Sequence, residues 1–90
     1  MTKKTVWKYT LDQERQGIVA PVGAKWLCAH EQGNNVCVWA EVDPSEKELM
    51  HYGFAAYCTG DWIQTQDFLP NYLGTCFFDN GTYVLHIYVK

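Results

Sequence analysis

The chain has 90 residues, enough for one domain with a single core, and we expect residues 1–90 to fold as a unit. Hydrophobic residues make up 48% and charged residues 19%, which excludes an intrinsically disordered chain. The formal net charge is −3, and the seven Lys and Arg residues are scattered. The clustered basic footprint that direct binding to nucleic acid requires is therefore missing.

The first half of the chain predicts four short strands separated by turn-forming residues. Residues 6–11 and 17–20 form the first two, with the polar stretch 12–16 between them. Residues 26–30 and 36–42 form a hairpin joined by a turn-rich link at 31–35. Asp43 and Pro44 are typical of a helix start. We expect a polar loop or a single helical turn there, followed by a strand at 49–57.

The last part of the chain predicts a hairpin around Asn80-Gly81. This dipeptide supplies the two positive-φ residues of a type I′ turn. The expected partners on one face are Phe78 with Tyr83, Cys76 with Leu85 and Gly74 with Ile87. On the other face they are Phe77 with Val84, Thr75 with His86 and Leu73 with Tyr88. Both faces are largely apolar, so this hairpin is either central in a sandwich or contacts a partner with one face.

These elements predict a mainly β fold, or an α+β fold with at most one short helix. The architecture that we expect is a small antiparallel sheet, sandwich or half-barrel built from hairpins.

Several short motifs, taken in order, resemble an uncharacterised family of small bacteriophage proteins, a domain of unknown function. The matching segments are residues 7–9 (Trp-Lys-Tyr), 21–25, 37–40 (Cys-Val-Trp-Ala), 42–44, 59–60, 72–75 (Tyr-Leu-Gly-Thr) and 84–87 (Val-Leu-His-Ile). The likeness spans nearly the whole chain, although Cys58 stands where the family pattern has Gly. The resemblance implies a phage origin and an accessory role, with no known activity.

Aromatic residues account for 16% of the chain, and exposed Trp and Tyr are enriched at protein interfaces. In the long segment 60–72, the residues Trp62, Phe68, Leu69 and Tyr72 either fold back as a satellite cluster or form a hot-spot patch. A second candidate contact surface is the acidic run of Glu41, Asp43, Glu46 and Glu48. Such a run is usually a solvated edge, but it also suits a basic groove on a partner.

The positions of the cysteines and histidines do not indicate a metal site or a catalytic pair. The four cysteines contain no Cys-x-x-Cys pair, and we expect reduced thiols that pack in the core. Cys28 and His30 share one face of a strand and are weak zinc candidates, so we predict no metal and no cofactor. Cys76 and His86 lie on opposite faces of the predicted hairpin. No nucleophile and base are thus paired, and we expect no enzyme.

We therefore expect a small phage-type accessory protein that acts by non-covalent binding, above all as an inhibitor of a host protein in anti-phage defence. The alternatives are an oligomeric nucleotide-signal sponge and a minor structural or assembly protein of the virion. The expected partner is a host protein, with a homodimer left open. No segment resembles a secretory signal or a membrane span, so we expect the protein in the host cytoplasm.

Overall fold

The computed structural model describes residues 3–63 and 71–90, which form two antiparallel sheets. The strands are β1 (Thr5–Leu11), β2 (Arg15–Pro21), β3 (Lys25–Gln32), β4 (Asn35–Val42), β5 (Leu49–Cys58), β6 (Asn71–Phe78) and β7 (Tyr83–Val89). The three-stranded sheet has the order β1-β4-β3, and the four-stranded sheet has the order β2-β5-β7-β6. The described residues contain no α-helix, and Asp79–Gly81 form the tight turn before β7. The mainly β, hairpin-built prediction is confirmed, and the sheets do not close into a barrel.

The core lies between the sheets, where alternate residues of each strand point inward. Val38 of β4 and Ile87 of β7 are fully buried, and each lies near the middle of its sheet. Aromatic rings pack against this core: the ring of Trp26 meets those of Phe54, Tyr52 and Tyr9 at centroid distances of 4.7, 5.3 and 5.5 Å. The contacts with Phe54 and Tyr52 are edge-on, a preferred geometry for aromatic rings.

Strands β3 and β6 bring the edges of the two sheets together. A Cβ atom added at Gly74 would lie 3.0 Å from the backbone nitrogen of Ala29 and closer still to its carbonyl oxygen. Glu31 joins the same two strands, because its Oε1 accepts a hydrogen bond of 2.7 Å from the backbone N–H of Phe77. The absent side chain at Gly74 therefore permits an approach that a side chain would block.

The terminal hairpin has the predicted turn and, with one exception, the predicted register. Asn80 and Gly81 have φ values of 57° and 87°, and the N–H of Thr82 bonds to the carbonyl of Asp79, as in a type I′ turn. The register shifts between Tyr72 and Gly74, so Tyr72 rather than Leu73 pairs with Tyr88. The prediction of a Leu73–Tyr88 pair is wrong because a β-bulge adds one unpaired residue at this point.

The other local predictions are confirmed with small changes in strand ends. The hairpin of β3 and β4 closes through Gly33 and Asn34, with Gly33 at a φ of 62°. At Asp43 the chain forms a polar turn, in which Oδ1 accepts hydrogen bonds from the backbone N–H and the hydroxyl of Ser45 at 2.9 and 2.6 Å. The predicted strand follows as β5. Within residues 3–63 and 71–90, no helix is long and apolar enough to span a bilayer.

Candidate binding surface

A hydrogen-bonded chain of side chains lies on the outer face of the four-stranded sheet. Nε2 of His86 is 2.8 Å from Oγ1 of Thr59, and its Nδ1 is 3.1 Å from Oγ1 of Thr75. The Thr75 hydroxyl in turn bonds to the hydroxyl of Tyr72 at 2.5 Å. Thr75 is the cross-strand partner of His86, which explains one bond. Together these bonds fix the His86 ring in one orientation and tie β6, β7 and the turn after β5 together.

Three tyrosine rings lie on the same outer face of the four-stranded sheet, next to these hydrogen-bonded side chains. The ring of Tyr88 meets those of Tyr57 and Tyr72 nearly edge-on, at 5.7 and 5.6 Å. Tyr57 is buried, and the guanidinium of Arg15 lies 4.8 Å from its ring centroid, a cation–π arrangement. The Tyr57 hydroxyl is buried without a hydrogen-bond partner among the described residues. Such a group costs free energy unless water or a ligand pairs with it.

Trp62 stands out from the end of this sheet. The backbone turns between Cys58 and Asp61, with Gly60 at a φ of 96° and Oδ2 of Asp61 accepting a hydrogen bond of 2.8 Å from the N–H of Cys58. Trp62 follows this turn and has 90% of its surface exposed. A fully projecting indole is unusual in a monomer because it leaves a large apolar area in water. Trp62 therefore does not fold back as part of a satellite cluster, and its contact role stays a prediction.

Two further aromatic side chains on the outer face are exposed. Tyr72 is 59% and Phe77 is 55% exposed, and both point away from the core. Phe77 lies near the end of the sheet at which β5 stops and from which Trp62 projects. We call Trp62, Tyr72 and Phe77 the Trp62 surface. The predicted contact residues Phe68 and Leu69 lie outside the described residues.

The predicted acidic residues lie at the other end of the molecule, where β4 ends and β5 begins. Glu41 belongs to β4 and lies 4.0 Å from the Lys4 ammonium, and the other three belong to the loop that precedes β5. Trp62 follows the far end of β5, a strand of ten residues. Ten residues of extended chain span about 30 Å. The acidic run and the Trp62 surface are therefore two separate patches, which one small contact site cannot cover.

Part of the acidic run stabilises its own loop. Hydrogen bonds from the hydroxyl and the backbone N–H of Ser45 lower the pKa of the Asp43 carboxyl. Oε1 of Glu46 accepts a hydrogen bond of 3.0 Å from the N–H of Glu48. Carboxylates that satisfy nearby backbone donors are typical of polar turns. The structure thus gives Asp43 and Glu46 a local role that the sequence pattern did not distinguish from a contact role.

The thiols and imidazoles are spread over different faces. Cys76 is fully buried in the core, whereas His86 lies on the opposite face of its hairpin, as predicted. Burial raises the pKa of the Cys76 thiol to about 11, so this thiol is neutral at physiological pH. Cys28 and His30 share the outer face of the three-stranded sheet and are both exposed, so the prediction that all four thiols pack in the core is wrong for Cys28, which lies at a solvent-facing position of β3. Within residues 3–63 and 71–90, no three metal-ligating side chains come together.

The structure also contains a cavity that the sequence did not indicate. It opens between the two sheets near the turns at Asp12–Glu14, Asn34 and Asp79, and it has a volume of about 490 Å³. Its lining comes from turns that are far apart in sequence. No local pattern marks them as neighbours.

Comparison with known proteins identifies a family without a known activity. The family described as a domain of unknown function (DUF7352) matches residues 2–90. No curated protein and no solved structure matches the chain significantly. Because the match spans nearly every residue, the chain belongs to the DUF7352 family, in agreement with the expected membership of an uncharacterised family.

Proposed function

We propose that this domain acts by non-covalent binding to a host protein and inhibits it, as a phage-encoded antagonist of bacterial defence in the host cytoplasm. The observation that carries the binding role is the 90% exposure of Trp62. Aromatic side chains of this kind dominate the binding free energy of many interfaces, since they bury a large apolar area when a partner covers them. The phage origin rests on the sequence resemblance.

The surroundings of Trp62 support a binding role. The turn from Cys58 to Asp61 is fixed by hydrogen bonds in both directions, and Thr59 within it is bonded to His86. These hydrogen bonds fix the backbone that precedes Trp62 before a partner binds. Less conformational entropy is therefore lost on binding. Phe77 offers a second exposed ring at the same end of the sheet.

The placement of the reactive side chains also supports binding rather than catalysis. Cysteine-based catalysis needs a thiolate beside a base. Cys76 is buried in the core with a raised pKa, on the face of the hairpin opposite His86, so these two residues do not form such a pair. His86 does contact the hydroxyls of Thr59 and Thr75, but among the described residues no carboxylate contacts either ring nitrogen to orient the imidazole as in a serine-type triad.

The test compares Trp62→Ala with Leu27→Ala, a matched change at an exposed apolar residue of the three-stranded sheet. Each variant and the unchanged protein would be used to capture partners from a bacterial lysate, and the captured protein would then be purified and assayed for inhibition. We expect Trp62→Ala to lose the partner, at a cost of about 2 kcal/mol or more in binding. Its melting temperature should stay within about 2 °C, because an exposed side chain contributes little to folding.

Two results contradict the proposal. Equal capture by Trp62→Ala and the unchanged protein removes Trp62 from the interface. A melting temperature that falls by about 10 °C or more in Trp62→Ala makes this residue part of the fold instead.

A second candidate function, the nucleotide-signal sponge, is favoured by a depression on the outer face of the four-stranded sheet. Gly17 and Gly53 pair directly there and leave a gap of about 440 Å³, bordered by Arg15 and Lys90. Tyr88 lies on the same face, opposite Ala55. Two cations and an aromatic ring are the groups that bind a phosphate and a base.

Light scattering after size-exclusion chromatography, followed by melting with added cyclic nucleotides, separates the two functions. An oligomer that a nucleotide stabilises supports the sponge. A monomer whose melting temperature no nucleotide changes contradicts it.

A further inference from the structure

The cavity between the two sheets has the size and lining of a small-molecule site. Its volume of about 490 Å³ lies within the range of roughly 300–1,000 Å³ that is usual for ligand pockets. The floor is apolar and takes side chains from both sheets, namely Leu11, Val36, Ala56, Leu85 and Ile87. The short side chain of Ala56 leaves room where a larger residue would bring the sheets into contact.

The rim of the cavity is polar and acidic. Asp12 and Glu14, from the link between β1 and β2, lie on one side, and Asp79 contributes a third carboxylate from the turn before β7. Among the described residues that line the cavity, none is Lys or Arg. The nearest cation in sequence, Arg15, has its guanidinium over the Tyr57 ring on the outer face. Three carboxylates and no cation give the mouth a negative potential.

We propose that this cavity binds a small organic cation, an amine or guanidine carried on an apolar body. The apolar body fits against the floor, where it loses contact with water, while the charged group stays at the rim beside the carboxylates. An anion of the same shape is repelled by these groups. Trp62 does not line the cavity, so this inference does not depend on the proposed protein-binding surface.

The probe for the test is 2-phenylethylammonium, titrated into the full ¹⁵N-labelled domain and followed by amide chemical shifts. The comparison ligands are neutral 2-phenylethanol and anionic 3-phenylpropionate, which carry the same ring. We expect saturable shifts at amides that line the cavity with the ammonium. Binding of the alcohol should be weaker by about ten-fold, and the carboxylate should not bind.

Three variants locate the site. Asp79→Asn removes one rim charge and keeps a residue that tolerates the φ of 52° at this position, so we expect binding to weaken by about three- to ten-fold. Ala56→Leu fills the floor and should abolish the shifts. Glu48→Gln removes an exposed carboxylate from the other end of the molecule and should leave the affinity unchanged.

The proposal is overturned if 3-phenylpropionate binds as well as the ammonium, or if no saturable shift occurs below about 10 mM ammonium. Undiminished binding by folded Ala56→Leu also overturns it. If Ala56→Leu does not fold, the affinity of Asp79→Asn for the ammonium is the test of the site. Equal binding by Asp79→Asn and the unchanged protein then overturns the proposal.

Discussion

Two tryptophans on neighbouring strands illustrate how a single residue's role depends on the face of the sheet. Trp26 of β3 points inward, and its ring contacts those of Phe54 and Tyr52. Trp39 of β4 points outward, opposite Lys8 on one side and Cys28 on the other. Removing a fully buried Trp ring costs about 3–5 kcal/mol. The Trp39 ring is partly exposed, so this cost does not apply to it in full.

We therefore expect Trp26→Ala to destabilise the domain by about 3 kcal/mol or more, because it leaves a void among aromatic rings. Trp39→Ala should cost less than about 2 kcal/mol, since both rings are half-buried but only the Trp26 ring packs against other aromatic rings among the described residues. Urea unfolding, with the slope of the transition checked for each variant, measures both values. Equal losses for the two variants would show that the faces of β3 and β4 have been assigned wrongly.

At the scale of elements, the contact between β3 and β6 decides how the two sheets sit together. Gly74 meets the backbone of Ala29 so closely that no side chain fits. By contrast, a Cβ atom at Gly53 would have only the Cβ of Lys90 nearby, at 4.0 Å. Neither glycine has a positive φ, so the two sites differ in space and not in backbone conformation.

Gly74→Ala should therefore destabilise the domain by about 2 kcal/mol or more, since backbone atoms cannot move aside as a flexible side chain does. The melting temperature should fall by roughly 10 °C. The matched variant Gly53→Ala should be neutral or slightly stabilising, because Ala is less costly than Gly within a strand. Thermal unfolding of both variants tests this, and a tolerated Gly74→Ala would mean that β3 and β6 are farther apart.

Features that depend on a few neighbouring residues can be predicted from the sequence, whereas contacts between distant strands cannot. The type I′ turn follows from two adjacent residues, Asn80 and Gly81, and it sets the register nearby. The bulge at Leu73 has no such local signal, because it depends on how β6 fits against both β7 and β3. Likewise, the approach of Gly74 to Ala29 and the bond from Thr59 to His86 join residues 45 and 27 positions apart. Contacts of this kind come from tertiary packing, which periodicity does not describe.

The same distinction between local features and long-range contacts applies to the candidate surfaces. An exposed Trp62 was one of two predicted alternatives, since its turn residues are local. The acidic residues of the cavity rim were missed, because Asp12, Glu14 and Asp79 come from separate turns that meet only in the folded domain.

At the scale of the whole molecule, burial of ionisable groups makes folding sensitive to alkaline pH. The thiol of Cys76 is fully buried, and desolvation raises its pKa from 9.0 to about 11, with the carboxylate of Glu31 adding to the effect. Desolvation also raises the pKa of Tyr9. Between pH 9 and 11 the unfolded chain therefore loses a proton from Cys76 that the folded domain keeps. By linkage, the free energy of unfolding must fall as the pH rises through this window.

We expect Cys76→Ala to reduce this alkaline loss, because the variant has no thiol to ionise in the unfolded chain. The variant should be less stable than the unchanged protein at pH 7, owing to the lost core contacts. The difference between the two should then shrink as the pH rises from 9 to 11, while the ionisation of Tyr9 affects both equally. Urea unfolding at intervals across this range measures the two curves. Parallel curves would mean that the Cys76 thiol is as accessible to water in the folded domain as in the unfolded chain, and the sheets could not then pack on each other around it.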